Sequence, residues 1–167
     1  MLLRHQRRPA LLLLLLAVLC AGAAVPPPAP SGETAPGADA GFPRSALEIR
    51  TTGGRQWFNI RIADTPARQE LGLMFVTRLP ADEGMLFPQQ QSQVMSMWMK
   101  NTYIPLDMLF IDTHGRIVCL LANATPQSLA VLSCPKPVKA VLEIGGGEAA
   151  ERGIHVGDRV IHPLLQH

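Results

Sequence analysis

Three consecutive polar residues lie at the centre of the most apolar part of the chain. Lys100, Asn101 and Thr102 separate two apolar runs within residues 94–112, and Asp107 lies inside the second run. Polar and charged groups surrounded by apolar residues need a hydrogen-bonding partner, a counter-charge or access to water. The pattern therefore predicts either the floor of a functional site or a buried structural ion pair.

Further along the chain, Glu143 lies inside the apolar run VLEI, and Trp98 immediately precedes the polar stretch. A lysine and carboxylates in a partly dry cleft can bind an anionic or sugar-like ligand. They can also act as an acid–base pair with shifted pKa values. The structural alternative is a bridge from Lys100 to Asp107 or Glu143 that only stabilises the fold. We favour ligand or partner binding, and we keep an enzyme using Lys100, Asp107 and Glu143 as the main alternative.

Methionine is concentrated in the same region, since six of the seven methionines lie within residues 74–108. Met95, Met97 and Met99 share one face if this segment is a strand, because side chains alternate with a period of two. Thioethers on one face suit Cu(I), so soft-metal binding is a second alternative. Methionine also fills irregular core space, which is the interpretation that we favour.

No other cofactor is indicated by the sequence. The histidines show neither an H-x-H nor an H-E-x-x-H spacing, so a zinc site is not expected. No Ser-His-Asp order or phosphate-binding loop can be identified, so the sequence leaves open whether the protein is an enzyme. We expect no cofactor.

The N-terminal residues 1–23 have the pattern of a signal peptide. Three arginines precede an apolar run at 11–19, and small residues follow up to Ala23 and Ala24, after either of which cleavage is expected. The apolar run is short for a membrane span of ~20 residues. We therefore expect export to the periplasm, with a lipoprotein anchored at Cys20 as the alternative.

The composition divides the remaining chain into a linker and one domain. Residues 24–43 are rich in proline, alanine and glycine, which is typical of a disordered linker, and residues 44–167 have the size of one domain. Three of the 15 Lys and Arg residues belong to the leader, which leaves 12 against 13 acidic residues. A near-neutral domain lacks the basic surface that nucleic acid requires. The expected partner is a small ligand or another envelope protein, with membrane contact only through the leader or a lipid anchor.

Two cysteines remain after the leader, Cys119 and Cys134. In an oxidising compartment an even pair predicts a disulfide first. Two separate buried thiols or a soft-metal pair are the alternatives, and neither cysteine has a CxxC partner or an adjacent histidine.

Short alternating segments punctuated by glycine and proline predict a mainly β fold. Residues 46–52 and 57–63 form one predicted hairpin, and 108–112 with 116–122 form another. Thr65-Pro66 predicts the start of a short helix, and residues 148–152 predict a helical turn. These elements indicate an all-β domain, a compact β-sandwich or barrel-like fold with one or two short helices.

Seven short segments give the chain a resemblance to the domain of unknown function 192 family, and they occur in that family's order and spacing. The resemblance covers about residues 46–162 and implies a compact, mostly β, often exported domain without a settled activity. The segments are GLMF (72–75), GMLF (84–87), WMKNT (98–102), PLD (105–107), FID (110–112), VLEI (141–144) and GIHVGD (153–158).

One position departs from this resemblance. The family usually has arginine directly after GLMF, whereas this chain has Val76 there and Arg78 two residues later. If that arginine belongs to a ligand site, this chain either lacks it or supplies it from Arg78. The predicted ligand-binding residues are Trp98, Lys100, Asn101, Thr102, Asp107, Glu143 and Arg78, with Asp158 as a possible addition.

Overall fold

The computed structural model describes residues 41–165, and the predicted leader and most of the predicted linker lie outside this range. Nine strands and two short α-helices follow one another in this range, and a 3-10 turn over Pro163–Leu165 follows the last strand. The elements are β1 (Arg44–Thr51), β2 (Gly54–Ile62), α1 (Pro66–Leu71), β3 (Glu83–Gln93), β4 (Ser96–Met97), β5 (Leu106–Ile111), β6 (Ile117–Ala124), β7 (Leu132–Ser133), β8 (Val138–Gly145), α2 (Glu148–Glu151) and β9 (Arg159–Ile161).

Seven strands form one sheet in the order β6-β5-β8-β3-β2-β1-β9, and β4 pairs with β7 separately. All neighbours in the large sheet are antiparallel except β2 and β3. The sheet is open along most of its edge, but the two edge strands approach each other at one end. There Arg116 bridges to Arg159, and the Val160 N–H donates to the Gly115 carbonyl at 2.7 Å. The prediction of a compact, mainly β domain with one or two short helices is confirmed, and the structure has two.

Both predicted hairpins are confirmed, as β1–β2 and β5–β6. A proline followed by a glutamine-rich run after Phe87 predicts the end of a strand and a polar loop, but residues 88–93 are instead the second half of β3. Pro88 does not end that strand, because the pairing of β3 with β8 is irregular between Pro88 and Gln93. Proline is tolerated at such irregularities, since its missing N–H interrupts no regular ladder there.

Apolar side chains pack on both faces of the large sheet. One core contains Leu86, Leu109 and Leu142, and the second contains residues from the same three strands, including Phe87 and Phe110. Successive side chains on a strand point to opposite faces, so each central strand supplies both cores. Both faces of the sheet are therefore covered, which explains why β5 and nearly all of β8 are buried.

The helix α1 begins as the sequence predicts and ends at a glycine. The Thr65 hydroxyl accepts a hydrogen bond from the Arg68 N–H at 3.3 Å, and Pro66 is the first helical residue. Gly72 ends the helix with a φ of 48°, a left-handed conformation that glycine adopts without steric cost. The chain then turns over the second core, where Leu73 and Val76 are buried.

A disulfide joins Cys119 of β6 to Cys134, just after β7, which confirms the predicted pairing. It ties the small β4–β7 sheet to the edge of the large sheet. At the other end of the described range Phe42 packs into the second core, so the packed domain begins before β1. Among residues 41–165 no helix is long and apolar enough to cross a membrane.

Candidate functional site

A cleft of about 150 Å³ opens on the face of the sheet that carries the second core. One wall is α1 with the turn that follows it, and the other is segment 95–102, which contains β4. Side chains of β3 and β8 form the floor. The lining residues are Gln69, Glu70, Leu71, Gly72, Leu73, Met74, Phe87, Met95, Ser96, Met97, Trp98, Lys100, Thr102 and Glu143.

Glu143 is the buried acidic residue of this cleft, with only 4 % of its surface exposed. It lies at the centre of β8, and its neighbours across the adjoining strands are Met85 and Met108, both fully buried. No other residue of the range 41–165 donates a hydrogen bond to its carboxyl group or forms an ion pair with it. The carboxyl group therefore has apolar neighbours within the sheet and faces the cleft.

These surroundings change the acidity of Glu143. Burial away from water raises the pKa of its carboxyl group from 4.5 to about 8, because the charged form loses hydration that no protein donor replaces. The carboxyl group is accordingly mostly protonated at neutral pH. A carboxylic acid in this condition can donate a proton to a ligand or become charged beside a cation.

Lys100 and Trp98 lie together at the mouth of the cleft. The Lys100 Nζ lies 5.2 Å from the centre of the Trp98 ring, and both side chains are exposed. This is cation–π distance, and the exposed indole presents an apolar face to an incoming molecule. Within the described range no carboxylate lies within ion-pair distance of Lys100, so it does not pair with Glu143.

Thr102 lines the cleft and is nearly buried, with its hydroxyl 3.4 Å from the Lys100 carbonyl oxygen. The intervening Asn101 does not line the cleft. Asn101 adopts a positive φ of 56°, and its carbonyl accepts a hydrogen bond from the Phe75 N–H. Asn101 thus joins segment 95–102 to the turn after α1 and shapes the cleft from outside.

Asp107 lies apart from the cleft and is fully buried. Its carboxylate accepts hydrogen bonds from three backbone N–H groups, those of Asn123 at 2.8 Å, Gly147 at 3.0 Å and Ala149 at 2.9 Å. These contacts fix the end of β6 and the start of α2. Asp107 therefore has a structural environment, and the structure does not bring it together with Lys100 and Glu143.

Two further predicted candidates also lie outside the cleft lining. Arg78 is exposed beyond the turn that follows α1, while Val76, in the position where the family usually has arginine, is buried in the second core. The Asp158 carboxylate accepts a hydrogen bond from the His155 N–H at 2.8 Å and so closes a turn.

The methionines of segment 95–102 divide between cleft and core. Met95 and Met97 are half-buried and line the cleft, as Met74 does from the opposite wall, whereas Met99 is fully buried in the second core. The predicted set of Met95, Met97 and Met99 therefore does not present three sulfur atoms to one surface. Among residues 41–165 no cluster of three His, Cys, Asp or Glu side chains is placed to bind a metal.

Residues 48–162 match the sequence profile of domain of unknown function 192, a family described as an uncharacterised ACR. The match spans well over half of the chain. The chain belongs to this family.

Two solved structures resemble this DUF192 domain closely. One, from Sinorhizobium meliloti 1021, is described as a putative transcription regulator. It is 35 % identical over 74 % of this chain and 96 % of its own, with a TM-score of 0.72. The other, a protein of unknown function from Novosphingobium aromaticivorans DSM 12444, is 40 % identical over 74 % of this chain and 89 % of its own, with a TM-score of 0.73. No curated protein matches the chain.

Four of the segments that carry the DUF192 resemblance meet at the cleft, although they are far apart in the sequence. GLMF supplies one wall, WMKNT the mouth, GMLF the Phe87 floor and VLEI the buried Glu143. Gly72 of the first segment packs so closely that a Cβ there would lie 3.3 Å from the Phe87 ring. Parts of four of the seven segments therefore line one site.

Sequence reasoning missed the contribution of α1 to this site. Gln69 and Glu70 of α1 and Met74 of the turn after it line the cleft, but the sequence alone predicted only that a short helix starts in this segment. The GLMF segment, shared with the family and not needed for a helix, was the signal that could have located this wall.

Proposed function

We propose that this DUF192 domain binds a small ligand in the cleft between α1 and segment 95–102, with Glu143 as the central recognition group. The observation that carries the proposal is the buried Glu143 carboxyl group, which faces the cleft without a hydrogen-bonding or ionic partner among residues 41–165.

Hydrogen bonding distinguishes Glu143 from a scaffold residue. An unpaired buried carboxyl group costs stability, because it loses hydration and gains nothing in return. Asp107 illustrates the structural solution, with three backbone N–H donors around its carboxylate. Glu143 has no such donors, and a ligand in the cleft would supply the missing interaction.

The two alternative functions find less support. An acid–base mechanism with Lys100, Asp107 and Glu143 requires three side chains around one substrate, and Asp107 is occupied elsewhere. Binding of Cu(I) by Met95, Met97 and Met99 requires three converging sulfur atoms, and Met99 packs into the core. Glu143 is a single buried acid at the cleft floor, and a single acid is suited to binding a ligand.

A cleft-blocking variant tests the proposal. Ser96 is exposed and lines the cleft, so a Ser96→Trp substitution fills the cleft without removing core contacts. Ser92→Trp, at an exposed position of β3 outside the cleft lining, is the matched control. We expect a thermal-shift screen of cations, anions, sugars and neutral compounds to find a class that raises the melting temperature of the native chain and of Ser92→Trp but not of Ser96→Trp.

Two results would contradict the proposal. In one, no class of compound raises the melting temperature of the native chain. In the other, every active compound stabilises Ser96→Trp as strongly as the native chain, which places binding outside the cleft.

We also propose that the domain acts outside the cytoplasm, in the periplasm. The predicted leader in residues 1–23 supports this localisation, and the Cys119–Cys134 disulfide is compatible with an oxidising compartment. Mass spectrometry of the cell-envelope fraction should find an N-terminus at Ala24 or Val25. A lipid-modified N-terminus at Cys20 would support the anchored form instead, and an intact N-terminus in the cytoplasm would contradict export.

A further inference from the structure

We propose that the ligand is a small organic amine, whose ammonium group pairs with Glu143 while its apolar part lies against the methionine and aromatic side chains of the cleft. This inference rests on the proposed function and specifies its ligand class.

The charges around the cleft favour a cation at its floor. The charged groups that line it are Glu70 on α1, Lys100 at the mouth and Glu143 at the floor, so two carboxyl groups face one ammonium group. Lys100 is exposed and lies over the Trp98 ring, where it is too distant to neutralise Glu143. An anionic ligand would oppose the ionisation of Glu143, whereas a cationic ligand stabilises its charged form.

The remaining lining favours an apolar body attached to that cation. Met74, Phe87 and Met97 line the cleft together with Glu143 and the exposed Trp98. Thioethers adapt to irregular apolar shapes, and aromatic faces attract organic cations. Burying a hydrocarbon chain against these groups contributes affinity, while the ammonium group provides specificity.

The size of the cleft limits the ligand. A cavity of about 150 Å³ is smaller than the ~300–1,000 Å³ of pockets for drug-sized molecules. A short alkyl amine fits this volume. A lysine side chain of a peptide presents the same chemistry, a primary ammonium group on a four-carbon chain.

Binding of an amine to Glu143 should depend on pH in a characteristic way. An ammonium ligand binds the ionised form of Glu143, whose pKa is raised to about 8 by burial, so binding below that pH must displace a proton. The amine itself stays protonated up to a pKa of ~10.4, as lysine does. The affinity should therefore increase about tenfold per pH unit from pH 6 towards pH 8 and level off above it.

The experiment measures binding of n-butylamine to the purified protein by NMR chemical-shift titration at pH 6, 7, 8 and 9. Matched probes are n-butanol, which is uncharged, and butyrate, which is anionic. The variant is Glu143→Gln, and Glu151→Gln, an exposed carboxylate on α2 outside the cleft, is the control. A fourth probe, Nα-acetyl-lysine methylamide, distinguishes a lysine side chain from a free amine.

We expect n-butylamine to shift the signals of cleft residues, with affinity that rises towards pH 8. We expect at least a tenfold loss of affinity in Glu143→Gln and none in Glu151→Gln. Tighter binding of the lysine derivative would support an amine ligand and would indicate that the amine is a lysine side chain of a peptide. Preferential binding of butyrate or n-butanol, sensitive to Ser96→Trp, would overturn the amine but keep the cleft as a binding site. If the cleft signals respond to no probe and the wider screen is also negative, both proposals fail.

Discussion

At the scale of single residues, two buried carboxyl groups of similar sequence context have opposite surroundings. Asp107 and Glu143 both interrupt apolar strands, and both are almost completely buried. Asp107 is surrounded by backbone N–H donors, whereas Glu143 faces a cleft without a donor from the described part of the chain. The difference in hydrogen bonding, and not the residue type or the burial, separates a structural acid from a candidate recognition group.

The free energy of unfolding of the domain should depend on pH because Glu143 is unpaired. Because burial raises its pKa from 4.5 in the unfolded chain to about 8, the folded protein binds more protons than the unfolded chain between these values. The contribution of Glu143 to stability is therefore complete below about pH 4.5 and is lost as the pH rises towards 8.

We expect Glu143→Gln to be more stable than the native chain at pH 8, by about 3–5 kcal/mol, with little difference at pH 4.5, because the pKa shift of Glu143 from 4.5 to about 8 is almost fully expressed by pH 8. Urea unfolding of both proteins between pH 4.5 and 8.5 measures this difference. Glu151→Gln should follow the native chain at every pH. A Glu143→Gln difference that does not change with pH would show that the carboxyl group ionises normally in the folded state.

At the scale of secondary-structure elements, Asp107 organises the region where β5, β6 and α2 meet. The helix α2 has only four residues and a glycine N-cap without a side-chain hydrogen bond. The Asp107 carboxylate supplies what a capping residue would, because it accepts hydrogen bonds from Gly147 and Ala149 at the start of the helix. It also fixes Asn123 near the end of β6.

We expect Asp107→Asn to lower the free energy of unfolding by about 2–4 kcal/mol. The amide NH₂ of asparagine is a donor, so it cannot accept the backbone N–H hydrogen bonds that a carboxylate oxygen accepts. Asp82→Asn, at an exposed loop position, serves as the control and should be neutral. Hydrogen exchange should show faster exchange of the Gly147 and Ala149 amides in the Asp107 variant. Unchanged stability and exchange would contradict the capping role.

At the scale of the whole molecule, the sequence predicted the fold better than the site. The alternating strands, both hairpins and the proline-started helix follow from local patterns, and the structure confirms them. Local pattern failed where tertiary pairing decides, as in β3, which continues through Pro88 because β8 lies alongside it. The position of Glu143 opposite α1 depends on strand order, which no short window of sequence contains.

The same limit explains the predicted site residues. Trp98, Lys100 and Thr102 are close in sequence and reach the cleft together, and Glu143 joins them through β8. Asp107 lies five residues beyond Thr102, but its backbone partners come from β6 and from the chain leading into α2. Sequence spacing placed these polar groups in one apolar region but did not predict which of them would be satisfied by backbone.

The disulfide holds the end of β7 against β6. Because β7 pairs with β4, which is part of the cleft wall, the disulfide also fixes that wall. Closing a loop of 15 residues contributes ~3 kcal/mol in the chain-entropy model. We expect a reducing agent to lower the free energy of unfolding by about this amount and to weaken ligand binding in the cleft. The double variant Cys119→Ala/Cys134→Ala should be insensitive to the reductant. A native chain whose stability does not respond to full reduction would contradict this role.

The most direct test of the account is the pKa of Glu143 in the ligand-free protein, measured by NMR from the pH dependence of its carboxyl ¹³C shift, with Glu143→Gln to assign the signal. A buried carboxyl group without a protein partner predicts a midpoint near pH 8. A midpoint near 4.5 would mean that water or an unrecognised donor satisfies the group, and the case for Glu143 as the recognition group would fall.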